Sequence, residues 1–211
     1  MMHCNFPPMH NQRIPWQSAV PPFRRLRVFV DGENLVFRYQ AMIAKGWTPR
    51  TDEVIHIPDV LIWHPTLVAC VGLDEVHRAT LYTYAVGDDL KIKSHRDSIK
   101  NLWFQKHDNS TLLNRLTPMV FKKENKAAKA KGVDIQITVD ILNHVYRDNV
   151  DVIWLLSGDG DYLPVVEEVL RCGKQCYISS LSDGLNEKLR EIADRFVLLD
   201  DQLFTSGPVT K

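Results

Sequence analysis

Two short apolar runs that each stop in acid constrain this chain more than any other feature. Leu26-Arg-Val-Phe-Val-Asp31 is followed by Gly32, and Val152-Ile-Trp-Leu-Leu156 is followed by Ser157-Gly-Asp-Gly-Asp161. Near-continuous apolar runs of this length, bounded by glycine, read as strands buried on both faces. The segments after them change period. Glu33 to Ala44 puts Leu35, Tyr39, Met42 and Ile43 on one broad helical face, and Leu163 to Cys172 is helical, closed by Gly173 as its left-handed cap. A buried strand feeding a helix and then another strand implies right-handed crossovers and a mainly parallel sheet covered on both faces.

The rest of the chain fits that frame. Arg78 to Val86 is β-branched and aromatic and reads as a strand. Asp88 to Phe104 reads as a polar-faced helix, and Pro118 to Phe121 as an edge strand, where a proline at the start is tolerated. Val133 to Tyr146 is helical, with Ile135, Val139, Leu142 and Tyr146 at i, i+4, i+7 and i+11. Gln175 to Ser180 is a strand, Leu185 to Phe196 a helix, and Val197 to Leu199 a short last strand. The expected architecture is a three-layer α/β/α sandwich over residues 24–204. Residues 45–76, broken by Pro49, Pro58 and Pro65, read as an insertion or an elaborated crossover in which Asp59 to Val71 is a candidate helix interrupted by Pro65. Residues 1–23 carry five prolines (Pro7, Pro8, Pro15, Pro21 and Pro22) and read as an arm, either disordered or docked through Phe6, Ile14 and Trp16; residues 205–211 read as a tail.

In such sheets the functional crevice lies off the carboxyl ends of the strands, where the strand order reverses. The acids stand at those ends. Asp31 closes one strand, Asp159 and Asp161 follow another, and Asp134 opens a helix. Two carboxylates about 4 Å apart repel by roughly 4 kcal/mol at an effective dielectric of 20, so a fold gathers several only where a cation or protons compensate. Hard divalent cations prefer oxygen ligands, and Mg²⁺ takes one or two carboxylates directly, with waters and phosphate completing its shell. Each acid also has a plainer reading: a turn residue at Asp31, a helix-dipole acid at Asp134, an Asx turn at Asp159-Gly-Asp161. Only a metal site requires them to converge. Asp140, six residues past Asp134, lies about 120° around the helix and reads as solvated or supporting. Asn34 and Ser157, beside the acids, suit contact with a metal-bound water or a phosphate oxygen, and equally a helix cap or a turn.

Phe121-Lys-Lys-Glu-Asn-Lys-Ala-Ala-Lys-Ala-Lys-Gly132 places Lys122, Lys123, Lys126, Lys129 and Lys131 just before Asp134. A lysine run is ordinarily a solvated loop, but at the lip of an anionic metal site it can grip a polyanion. Arg24, Arg25 and Arg27 are candidates to extend that strip. The totals neither add to this nor oppose it: Lys+Arg and Asp+Glu are 26 each, a formal charge of zero. Cys4, Cys70, Cys172 and Cys176 contain no CxxC pair, which argues against structural zinc and for thiols in a reducing cytosol. No apolar run is long enough to span a bilayer, and the N-terminus lacks the apolar core of a secretory signal, so a cytoplasmic protein is expected. Homo-oligomerisation is compatible with the sequence, which does not decide it.

At these residues the chain resembles a known family. Phe29-Val-Asp-Gly-Glu-Asn-Leu35, Lys131-Gly-Val-Asp134 with Asp140 following, and Leu156-Ser-Gly-Asp-Gly-Asp-Tyr162 are similar to the three signature blocks of the NYN domain family, nearest its LabA-like branch within the PIN-like nucleases. Leu185-Asn-Glu-Lys-Leu-Arg-Glu-Ile-Ala-Asp194 with Phe196 resembles the family's last helix and strand. The resemblance spans about residues 26–204, with a longer segment at 45–76 and no counterpart for the arm. It implies a PIN-like fold and Mg²⁺- or Mn²⁺-dependent ribonuclease chemistry. Asp31, Asp134 and Asp159 would bind metal, with Asp161 as a fourth acid and Asn34 as a polar neighbour. The substrate expected is single-stranded RNA. The competing expectation is a binding module that keeps the acidic pocket without turnover, holding RNA or a protein. A haloacid-dehalogenase-type phosphohydrolase is disfavoured, because Asp31 is followed by Gly32-Glu33 rather than by a second aspartate two residues on.

Overall fold

A computed structural model describes residues 24–50, 54–68, 74–105, 113–123 and 132–207. The expected N-terminal arm and Lys126, Lys129 and Lys131 lie outside the described residues, as do Cys4 and Cys70. In chain order the elements are β1 (Arg24–Asp31), α1 (Gly32–Ala44), β2 (Thr48–Pro49), β3 (Ile55–Ile57), β4 (Leu61–Trp63), β5 (Asp74–Val86), α2 (Asp89–Lys100), β6 (Trp103–Gln105), β7 (Leu113–Arg115) and β8 (Thr117–Lys123). They continue as α3 (Val133–Tyr146), β9 (Val152–Leu156), α4 (Leu163–Arg171), β10 (Gln175–Ser180), α5 (Glu187–Ile192), β11 (Arg195–Leu198), α6 (Asp200–Leu203) and β12 (Phe204–Ser206).

Six strands form the central sheet in the order β11-β10-β9-β1-β5-β8, every neighbouring pair parallel. The chain moves outward from β1 to β5 and β8, then returns to β9 on the other side of β1 and moves outward again. The order therefore reverses between β1 and β9, and the crevice expected of such a sheet opens there. Alternation along β1 explains why its run is apolar throughout. Val28 and Val30 enter the core shared with α1, α2 and the β3–β4 hairpin, whereas Phe29 enters the core shared with α3, α4 and α5. The layers are helices, sheet, helices: the expected α/β/α, PIN-like arrangement.

Four expected details change. Asp59 to Val71 is no interrupted helix: Leu61–Trp63 pairs antiparallel with Ile55–Ile57, and Pro65–Val68 is a single 3-10 turn; residues 69–73 lie outside the described residues. Three buried residues in succession, Leu61, Ile62 and Trp63, suit a strand covered on both sides better than a helix with one wet face. Asp88 caps α2 with its side chain, but the helix ends at Lys100 because Trp103–Gln105 pairs with Leu113–Arg115. The last helix is shorter than its pattern, Glu187–Ile192. Asn186 takes the N-cap, and Asp194 N–H bonds the Cys176 carbonyl, drawing the chain into β11. Finally, α3 has two apolar stripes and only one can face the sheet. Val133, Ile137, Ile141 and Val145 are buried, while Ile135 and Tyr146 remain 66% and 62% exposed. Among the described residues no helix is long and apolar enough to cross a membrane.

Candidate active site

Asp31 ends β1 and is 3% exposed. Its Oδ1 accepts the Asn34 N–H at 3.0 Å, so it caps α1, and its Oδ2 accepts Ser157 Oγ–H at 3.1 Å and the Tyr162 hydroxyl at 3.2 Å. Gly32 lets the helix start hard against β5, since a Cβ there would stand 2.8 Å from the Tyr82 carbonyl oxygen. Ser157 is fully buried behind Asp31; its Oγ also accepts the Asp159 N–H at 3.2 Å. Asn34 Oδ1 accepts the Gly158 N–H at 3.3 Å, tying the β9 loop to α1. Asp159 caps the turn at 160–162 by accepting the Asp161 N–H at 3.0 Å. The plain Asx-turn reading of Asp159 is thus correct as far as it goes, and Asp31, read as a turn residue, is a helix cap.

They do not account for the convergence. Asp134, in the first turn of α3, accepts from the same Tyr162 hydroxyl at 3.2 Å. A phenol has one proton, so it serves only one of the two carboxylates at a time. Asp31, Asn34, Asp134 and Asp159 line one open pocket of about 340 Å³ at the strand-order reversal, together with Glu33, Phe37 and Arg38. Asp161 is exposed beyond that pocket, and its charge reaches Asp134. Burial pushes the Asp31 carboxyl up to about 7; the Asn34, Ser157 and Tyr162 hydrogen bonds oppose the rise and the Asp134 charge adds to it. Asp134 is raised too, first by burial and then by Asp159 and Asp161, against the hydrogen bond from Tyr162. The Tyr162 phenol is held far above its ordinary range by burial and by both carboxylates, and so stays protonated.

Such a donor set, all oxygen and short of positive charge, suits a hard divalent cation. Among the described residues no three His, Cys, Asp or Glu side chains form a ready-made coordination group. The fit is therefore to a cation that takes one or two carboxylates directly and keeps several waters, as Mg²⁺ does.

The other expected residues divide. Asp140 is well removed from the pocket, accepting from the Tyr82 hydroxyl at 2.7 Å and from Gln136 Nε2 at 2.9 Å. Lys122 pairs with Asp89 at 2.7 Å, and Lys123 pairs with Glu33 at 3.0 Å while lying over the Tyr84 ring. Arg24 and Arg25 do not extend the lysine strip. They begin β1, seven and six positions or about 20–23 Å from Asp31 at the opposite edge of the sheet, and bond Gln175, Tyr177 and Asp151. Glu33, Phe37, Arg38 and Tyr162 are site residues the sequence reading missed. The signal for Phe37 and Arg38 was their spacing: three and four residues past Asn34, they share its helix face. A second cleft of about 450 Å³, lined by Pro58, Val60, Lys91 and His95 among others, shares Glu33 and Phe37 with the acidic pocket.

Comparison with known proteins agrees with this fold. The low amplitude and bright protein LabA of Synechococcus elongatus is 27% identical over 182 residues, 84% of this chain and 84% of that protein. An uncharacterized protein of Methanocaldococcus jannaschii, MJ0482, is 27% identical over 73 residues, 35% of this chain and 30% of that protein. The crystal structure of VPA0982 from Vibrio parahaemolyticus, a protein of unknown function, shares the fold with a TM-score of 0.60 at 18% identity, covering 89% of this chain and 99% of its own. The family model of the NYN domain matches residues 25–200, which include every element of the central sheet and all four acids, and the chain belongs to the NYN domain family.

Proposed function

We propose that this chain is a divalent-metal-dependent nuclease that hydrolyses phosphodiester bonds in single-stranded RNA. One observation carries the reading. Three carboxylates far apart in the chain, Asp31, Asp134 and Asp159, line one open pocket at the strand-order reversal with a single phenol proton between two of them. Asp31, Asp134 and Asp159 would hold Mg²⁺ or Mn²⁺, with Asp161 supporting from outside. The bound cation would supply an oriented water of lowered pKa and charge neutralisation at the attacked phosphorus. The chain's own residues do the rest. Ser157 and Asn34 fix the Asp31 carboxylate and the β9 loop, and Tyr162 orients Asp31 and Asp134. Arg38, on the pocket wall, is placed to meet a phosphate oxygen, and Phe37, 45% exposed between the two clefts, offers a ring on which a base can stack.

The test is cleavage of varied single-stranded RNAs by purified protein with Mg²⁺ or Mn²⁺. Cleavage abolished by EDTA and by Asp159→Asn supports the reading; no metal-dependent cleavage of any RNA removes it. The absence of a ready-made three-ligand group among the described residues favours one other reading, a binding module that keeps the pocket without turnover. RNA binding that survives Asp31→Ala, with no turnover by the parent, would select that alternative.

A further inference from the structure

A second charged site lies on the same face of the sheet, away from the acids. The register between β1 and β5 shifts after Leu26: Leu26 pairs with Val76 but Arg27 pairs with Arg78, so His77 is bulged out. The shift brings two arginines side by side on neighbouring strands, about 4.8 Å apart at the backbone. Like charges placed directly opposite each other in a sheet are destabilising, and among the described residues no ion pair offsets this one. Among the described residues no carboxylate forms an ion pair with either arginine, and Arg27 Nε is buried without a hydrogen-bond partner. Asp140, the acid among the described residues that lines the pocket, is already held by Tyr82 and Gln136.

These groups line a pocket of about 210 Å³. Arg27 and Arg78 form one end, the hydroxyl residues Thr80 and Thr117 lie on the floor, and His144 stands on the α3 wall with Nδ1 bonded to Asn149 at 2.8 Å. Two guanidiniums face the one carboxylate in the pocket lining, which leaves it with an excess of cationic groups. Paired guanidiniums with hydroxyl donors match the oxygens of a phosphate group, and the volume suits one such group better than a whole drug-sized ligand.

We propose that the Arg27–Arg78 pocket is a phosphate-binding site distinct from the acidic pocket. Arg27 and Asp31 are four positions apart along β1, about 13 Å on the same sheet face. The helix α3 flanks both sites, with Asp134 at one end and His144 near the other. In the sheet register Phe29, Thr80 and Thr117 lie between the arginine pair and Asp31, and Tyr82 and Met119 stand level with Asp31, Met119 only partly buried. An RNA strand with one phosphate at the acids therefore reaches the arginine pair with another, a geometry that rests on the nuclease reading. Free phosphate presents the same oxygens, and the pocket itself does not depend on that reading.

The test uses the full chain in EDTA, so that neither metal nor cleavage enters. Thermal melts in inorganic phosphate and in chloride at matched ionic strength are run on the parent, Arg78→Gln and Arg27→Met. Anisotropy titrations with a single-stranded RNA long enough to span both sites are run alongside. Arg78 is exposed, so Arg78→Gln keeps the test decisive if Arg27→Met misfolds. Phosphate should raise the parent melting point by about 3 °C and that of neither variant. RNA affinity should fall about tenfold in Arg78→Gln. A phosphate effect alone assigns the site to free phosphate, an RNA effect alone to the nucleic-acid backbone, and both to either source. Parent and Arg78→Gln responding alike to both ligands, or to neither, overturns the proposal. Because no outcome depends on turnover, failure of the nuclease reading is seen separately, in the cleavage assay.

Discussion

The two edges of the central sheet treat charge in opposite ways. Where β1 begins, Arg24 and Arg25 both have partners. Arg25 reaches Asp151 through its backbone N–H at 2.8 Å and its guanidinium at 2.7 Å, Lys174 meets Asp148, and Arg24 bonds Gln175 and Tyr177. Asp151 is accordingly held down at about 2, chiefly by Arg25. Where β1 ends, acids gather on one another. Asp31 is pushed up to about 7 because burial and Asp134 outweigh its hydrogen bonds. The outermost residues of one edge pair their charges and so stitch strands together. Among the described residues the other leaves a deficit of positive charge facing an open pocket, which suits a cation from solution.

Substitution should separate the two edges most sharply. Asp159→Asn, at the open edge, is expected to lower metal-dependent RNA cleavage about a thousandfold, the scale of losing a principal electrostatic stabiliser. Asp151→Asn, at the closed edge, should leave cleavage within about twofold and cost about 1 kcal/mol in urea unfolding, the pair being a third exposed. Equal effects on cleavage would erase the distinction.

Stability should follow pH in opposite directions at the two edges. A raised carboxyl pKa means the folded state holds the proton more tightly than the unfolded chain. The Asp31 contribution is therefore complete below about pH 3.8 and is lost as pH rises through about 7. Without divalent cation, melts should show a loss on the order of a few kcal/mol across that window; Asp31→Asn flattens it and added Mn²⁺ cancels it. Asp151 has the opposite sign, its contribution present above about pH 3.8 and lost as pH falls through about 2. After solvent screening it is worth about 1 kcal/mol.

Smaller effects sharpen the open edge. Tyr162→Phe removes the proton shared by Asp31 and Asp134, and calorimetry should find Mn²⁺ affinity about tenfold weaker, the usual cost of losing a group that orients a ligand. Arg38→Gln should weaken RNA binding about threefold and reduce the slope of log affinity against log salt by about one, as for a single phosphate contact. An unchanged salt slope would place Arg38 with Asp183, its present ion-pair partner, rather than with RNA.

The sequence was legible where local pattern and tertiary demand coincide. β1 and β9 are buried on both faces, so their apolar runs could be nothing but inner strands, and the acids at their ends had to fall at one edge of a parallel sheet. It was least legible where two local patterns compete. In α3 both apolar stripes look suited to a core, and only the sheet decides that Ile137 and Ile141 pack while Ile135 faces water. The role of Tyr162 was hidden for a different reason. Its hydroxyl lies among acids from two other segments, and no spacing within its own segment encodes that. The Arg27–Arg78 pairing depends on a one-residue bulge at His77, and sequence pattern places such bulges poorly.

A Mn²⁺-soaked crystal read by anomalous scattering tests the central claim most directly. The account predicts one strong peak in the acidic pocket, about 2.2 Å from carboxylate oxygens of at least one of Asp31, Asp134 and Asp159, with waters completing its shell. A fully soaked crystal with no peak among those three side chains would contradict it.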